Sequence, residues 1–244
     1  MGLERHFRKS RIGLWGAAAV LLASLPLALA LPSPRKGKLP RDLAEILSRM
    51  DESAKRLKTL SANLEYTKVT VLVNDKSTEF GRIFFHKSKS SELLLNFEKP
   101  DPKVILFKKN KAEVYLPKIN QIQEYEFAQQ GELVQHFLAL GFGSESGDLK
   151  KDFELKYSGE EELDGDSTVV IELNPRKEAL AARISKIQLW ISEESWLPVQ
   201  QKFFEPGGDY VIARYTAVKV NRQLPGSTFQ IPAAKDAKRV KMSQ

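Results

Sequence analysis

Cysteine is absent from the 244-residue chain. That excludes disulfides, thiolate metal centres and a lipid anchor built on a cysteine. Histidine is scarce: His6 falls in the N-terminal segment, leaving His86 and His136 as the remaining imidazoles. Neither has a His or Cys neighbour at ligand spacing, so no metal and no cofactor is expected. His136 reads as a rim or capping residue and His86 as a solvent-facing strand end. A concentrated basic face is missing too. The net charge is +7 at pH 7, part of it lies in the first thirty residues, and so mild an excess does not argue for a nucleic-acid partner, so none is expected. No internal repeat occurs, and no linker composition separates residues 62 and 230, so one domain fits better than two.

Motifs for catalysis fail on context. Gly141-Phe142-Gly143-Ser144-Glu145-Ser146 has serine where a dinucleotide loop needs its third glycine, and it follows a helical pattern instead of a strand. Gly143-Ser144-Glu145-Ser146-Gly147 places glutamate where a hydrolase elbow needs its nucleophile. Glu160-Glu161-Glu162 with Asp164 and Asp166 lacks the alternating ligands of a calcium loop and reads as a solvated turn. No catalytic constellation remains, and the chain is not expected to be an enzyme.

What is present begins with Arg5, Arg8, Lys9 and Arg11 ahead of an apolar run from Ile12 to Leu29. Ala28-Leu29-Ala30 is a small-x-small triplet, so residues 1–30 read as a signal peptide cut after Ala30. An uncleaved anchor is the competing reading, since the run approaches the ~20 residues needed to span a bilayer. Either outcome places the body of the protein outside the cytoplasm. Residues 31–41, with three prolines, read as a flexible lead-in. Asp42 is a fair N-cap, and Leu43, Ile46, Leu47, Met50, Ala54, Leu57 and Leu60 share one face of a five-turn helix that must lie against a sheet.

The period then changes to two. Leu64–Val73 and Phe80–Phe85 predict a hairpin closed by Asn74-Asp75-Lys76. The stretch Glu92 to Phe142 follows: Leu93, Leu95 and Phe97 alternate with Glu92, Leu94 and Asn96, and Pro100 and Pro102 fix a turn. Val104–Phe107, Val114–Leu116 and Ile122–Phe127 are further strands. Leu133, Val134, Phe137, Leu138 and Leu140 return to helical spacing, ended by Gly141-Phe142-Gly143. Gly143–Gly147 reads as a flexible loop. Beyond it, strands are predicted around 153–157, 169–173, 187–191, 197–203 and 210–220, with a short helical or irregular insertion at 175–182. The basic residues 233–244 read as a mobile tail. About ten strands with two helices predict a mainly β (α+β) fold. It is a single curved antiparallel sheet forming a half-open barrel over 42–232, an N-terminal helix and a short central helix covering its mouth. Several strands are apolar on both faces, as Ile105 and Phe107 against Val104 and Leu106. Two packed layers or an apolar cavity would each explain that.

The order of features resembles the periplasmic lipoprotein-carrier family of the LolA/LolB type and its lipoprotein-sorting relatives. The resemblance rests on Leu60-Ser61-Ala62-Asn63-Leu64 after the helix and on Gly81-Arg82-Ile83-Phe84-Phe85. It rests further on Phe97-Glu98-Lys99-Pro100, Tyr115-Leu116-Pro117 and Phe229-Gln230-Ile231-Pro232. Ser88, flanked by Lys87 and Lys89, stands where that family has a lid-holding arginine, and Asn96-Phe97 replaces an aromatic-tryptophan pair. The resemblance implies a monomeric periplasmic carrier that takes acyl chains of lipoproteins or lipids from an inner-membrane donor complex toward an outer-membrane acceptor, without covalent chemistry. It implies a lipid-binding cavity walled by Leu93, Leu95, Phe97, Leu106 and Tyr115 and a lid carrying Val134, Phe137 and Leu138. Relatives of this fold also imply an alternative, a periplasmic lipid- or lipoprotein-sensing regulatory module acting through a protein partner.

Overall fold

The first described helix is set by its cap. The Asp42 carboxylate accepts the Ala44 N–H at 3.1 Å, and α1 (Leu43–Arg56) follows with Ile46, Leu47, Met50 and Ala54 buried along one stripe. It stops a turn short of the predicted end. Asn221 donates to the Arg56 carbonyl at 3.0 Å and accepts the Lys58 N–H at 2.7 Å, while the Lys87 ammonium donates to the Ala54 carbonyl at 2.9 Å. These distant partners satisfy the helix end, and Leu57 and Leu60 join the sheet core instead. A computed structural model describes residues 42–126 and 140–242, all within the compact unit Leu39–Gln244.

Among the described residues, twelve strands form one unclosed sheet. They are β1 (Thr59–Thr70), β2 (Asp75–His86), β3 (Glu92–Lys99), β4 (Lys103–Lys108), β5 (Lys111–Leu116), β6 (Gln121–Glu126), β7 (Phe153–Leu163), β8 (Asp166–Pro175), β9 (Lys186–Ser192), β10 (Pro198–Phe204), β11 (Tyr210–Val220) and β12 (Lys238–Met242). Their order is β12-β6-β5-β4-β3-β2-β1-β11-β10-β9-β8-β7. Neighbours are antiparallel throughout except for β12, which lies parallel to β6. This is the curved, mainly β half-barrel with an N-terminal helix that the periodicity predicts. The central helix and its residues Leu133, Val134, His136, Phe137 and Leu138 lie outside the described residues.

Gly81 shows why one small residue sits in β2. A Cβ there would lie 2.1 Å from the Asn96 carbonyl oxygen, so only glycine lets β3 approach. Two short helices complete the described part, α2 (Ser146–Asp152) and α3 (Glu178–Ala181). The first occupies part of what the sequence suggests is a flexible loop and runs on beyond it. Asp51, from α1, accepts the Ser146 N–H at 2.6 Å and the Ser146 hydroxyl at 2.7 Å, capping α2 from another helix.

The C-terminal residues also differ from expectation. Instead of a mobile tail, Lys238–Met242 forms β12, because Arg239 reaches Glu113 at 2.7 Å and Glu124 at 2.5 Å on neighbouring strands. Just before it, Phe229, Ile231, Ala233 and Ala237 pack against the sheet.

Candidate functional site

Side-chain parity divides the sheet into two faces. The face under α1, here the inner face, begins with Ile46, Leu47 and Met50 packed on Val169, Ile171 and Leu173 of β8 and Ile187, Leu189 and Ile191 of β9. Tyr66 bridges this cluster to a second one, formed by Leu60, Ala62, Leu64, Ile83, Phe85, Leu93, Leu95, Phe97 and Phe107. The apolar surface is therefore continuous along one side of β1–β4 and β8–β11. Tyr66 meets Phe97 edge-to-face at 5.8 Å between centroids. Its phenol is pushed above the ordinary range first by burial, then by Glu79 and Glu205.

Three of the five expected wall residues, Leu93, Leu95 and Phe97, meet on this inner face. Leu106 and Tyr115 do not join them. Leu93 pairs with Phe107 and Leu95 with Ile105, whereas Leu106 pairs with Leu94, and Tyr115 with Val104. Cross-strand partners share a face, so Leu106 and Tyr115 point outward. There they pack with Leu94, Val104 and Ile122 beneath Phe229 and Ile231. The five residues thus belong to two walls. In their place the inner face carries Ile105, Val114 and Tyr125, all half-buried, beside buried Phe107. The Lys108–Lys111 hairpin groups Ile105 and Phe107 with Val114 on one face, but only the register with β3 turns that face inward.

One polar node is set into the inner core. Gln201, fully buried, donates to the Leu140 carbonyl at 2.6 Å and accepts the Tyr215 hydroxyl at 2.9 Å. Burial drives the Tyr215 phenol upward far enough to stay neutral. Phe142, fully buried, sits edge-on to the Tyr215 ring at 4.9 Å. Gly141 makes the turn between them at φ +85°, with a hypothetical Cβ 3.0 Å from Pro198. Residues 140–142 are thereby anchored where the chain returns from 127–139.

The remaining polar candidates serve the frame. Lys87, beside the expected lid-holding position, is engaged by the end of α1. His86 is half-exposed and stacks near Phe229 at 5.9 Å, and its Nδ1 lies 3.1 Å from Glu92. Lys108 reaches the same carboxylate at 2.5 Å. Burial alone would raise the Glu92 pKa, but the Lys108 and His86 hydrogen bonds outweigh it and hold the group below its ordinary range. These side chains border a groove of about 430 Å³ against Leu224, Pro225 and Phe229. Glu160–Glu162 belong to β7 instead of a solvated turn, and Glu161 accepts the Trp190 indole N–H at 2.7 Å, while Asp164, in the β7–β8 turn, pairs with Arg214.

Similar folds occur among solved structures. An uncharacterized conserved protein from Thermus thermophilus is 14% identical, with a TM-score of 0.54 over 82% of this chain and 98% of that one. MucB is 12% identical with a TM-score of 0.50, matching 77% of this chain, which spans only 62% of MucB. A LolA superfamily protein from Nitrosomonas europaea is 15% identical over 79% of this chain and 99% of that one, with a TM-score of 0.40. No curated protein matches the sequence. Residues 107–230, half of the chain, match the model of a family described as "Uncharacterized protein", and the chain belongs to that family.

Proposed function

We propose that this protein is an extracytoplasmic carrier that shields acyl chains of lipoproteins or lipids against the inner face of its half-barrel and shuttles them toward the outer membrane. The observation that supports this reading is the half-buried apolar wall of Ile105, Val114 and Tyr125, continuous with buried Leu93, Leu95 and Phe97. Apolar groups left partly open on an otherwise filled face are a surface for a greasy guest. Each methylene buried there contributes about 0.8 kcal/mol, so a few chains hold firmly without any covalent step. In this reading Val134, Phe137 and Leu138 act as the lid, the protein works as a periplasmic monomer, and the donor and acceptor are inner- and outer-membrane proteins. It catalyses no reaction.

The test is uptake of a fluorescent fatty-acyl probe, with native mass spectrometry for copurified lipid. Ile105→Glu, at a half-buried position, is expected to weaken probe binding at least tenfold, about 1.4 kcal/mol, while the far-ultraviolet circular dichroism is retained. If the parent chain takes up no probe and carries no lipid, the carrier reading fails. A second reading, a sensing module acting through a protein partner, has one observation in its favour. MucB, which has this fold, is described in complex with MucA(peri). Recovery of a stoichiometric membrane protein from a lipid-free chain would select it.

A further inference from the structure

Three of the four most exposed large apolar side chains of the described residues are consecutive; the fourth, Ile119 at 61%, lies on the β5–β6 turn. Between β1 and β2 the chain makes a single 3-10 turn, Val71–Val73, closed by Asn74 in the left-handed region at φ 49°. Val71, Leu72 and Val73 are 52%, 93% and 67% exposed. Three consecutive aliphatics in water are costly at a hairpin tip, where polar residues would serve the turn equally well.

The surroundings specify what the tip fits. On the β3 side the hairpin runs free, since Asp75–Glu79 extend past Phe80↔Lys99, the last β2–β3 pair. The turn's backbone is partly satisfied from within the protein. Val71 accepts the Asn74 N–H at 3.1 Å and donates its own to Asp209 at 2.9 Å, which suits an apolar medium. Two residues below the tip, about 7 Å back along the strand, Val69 begins a row that continues through Tyr210, Phe204 and Lys186. Tyr210 and Phe204 are half-buried. Lys202 lies 3.8 Å from the Tyr210 ring centre and 4.5 Å from that of Phe204, and Lys186 lies 5.0 Å from Phe204. Lys76, exposed, pairs with Val69 at the other end of the row. The nearby acids are Asp75, Glu79, Glu205 and Asp209; Lys103 occupies Glu79, and Lys186 is shared with Glu172.

Aliphatic tip first, then aromatic rings with lysines folded over them, is the order of chemistry across a bilayer surface. A protein partner would instead need a broad patch of roughly 800 Å² with a packed centre, which a single turn cannot supply. We propose that this end of the sheet is a bilayer-docking surface. Leu72, with its valine neighbours, enters the lipid interface, and Tyr210, Phe204, Lys186 and Lys202 lie at headgroup level. The depth fits, since one 3-10 turn is about 6 Å tall and interfacial segments sit ~5–10 Å deep. The surface is separate from the cargo wall and does not depend on it.

The cysteine-free sequence allows a direct test in the full chain. Leu72→Cys and, as a control on β7, Glu154→Cys are each labelled with an environment-sensitive fluorophore. Both are mixed with vesicles of phosphatidylethanolamine and phosphatidylglycerol containing brominated acyl chains. The expected result is a blue shift with bromine quenching at position 72 and neither at 154. Adding Val71→Asp and Val73→Asp to the Leu72→Cys chain lowers its quenching about tenfold, with circular dichroism and acyl-probe uptake unchanged. Equal signals at 72 and 154, or quenching that survives both aspartates, overturn the proposal. Probe uptake is read separately, so failure of docking and failure of the carrier reading are distinguishable.

Discussion

The two halves of the sheet use the same inner face differently. Under α1, the β8 and β9 residues Val169, Ile171, Leu173, Ile187, Leu189 and Ile191 are essentially sealed by the chain's own Ile46, Leu47 and Met50. Across β4–β6, Ile105, Val114 and Tyr125 remain half-open, and the dense packing lies on the outer side, beneath Phe229 and Ile231. One half is a core in the ordinary sense. The other is a sheet stiffened from behind, with an apolar front left unfilled by the described residues. Backing a wall from outside is how a small protein keeps a greasy surface rigid without occupying it.

That contrast can be broken from either side. The largest effect is expected from Leu189→Ala in the sealed half: about 2–5 kcal/mol of stability, read as a shifted denaturant midpoint, with probe affinity of the folded fraction unchanged. Loss of probe binding without loss of stability there would erase the distinction. Asp51→Ala, which uncaps α2 and loosens the cover of the same half, should cost about 0.5–2 kcal/mol by thermal melting, again leaving probe affinity intact. The smallest effect belongs to the open half. Because the folded pKa of Glu92 is depressed, its contribution is present above its unfolded value near 4.5 and fades as pH falls through the lower folded value. Glu92→Gln should therefore flatten the acid limb of the stability profile below about pH 4.5, with little change near neutrality. An unchanged acid limb would mean that the groove behind the wall contributes nothing to holding it.

Much of this is legible in the sequence. Alternation locates β1–β11, and prolines or Asn-Asp pairs mark many of their turns, because a half-buried strand must write its period into the chain. The faces of β4 are not legible. Val104 and Leu106 are as apolar as Ile105 and Phe107, so hydrophobicity does not say which pair looks inward; register with β3 decides it. The β1–β2 turn comes three residues earlier than the sequence suggests, since Val71–Val73 reads as strand by propensity and is exposed instead. Helix α2 and strand β12 depend on Asp51 and on Glu113 with Glu124, partners roughly a hundred residues away. No local pattern encodes them.

An open sheet of twelve strands has two ends on which another copy of itself could grow. One is β12, which carries exposed Lys238 and Lys241 to meet any newcomer with like charge. At the other, β7 alternates Glu154, Lys156 and Glu160 and is kinked where Gly159 breaks its register with β8. Bulges and charged edges of this kind resist strand addition. The architecture that leaves an apolar front unclosed is thus prevented, at both margins, from becoming the seed of a fibre.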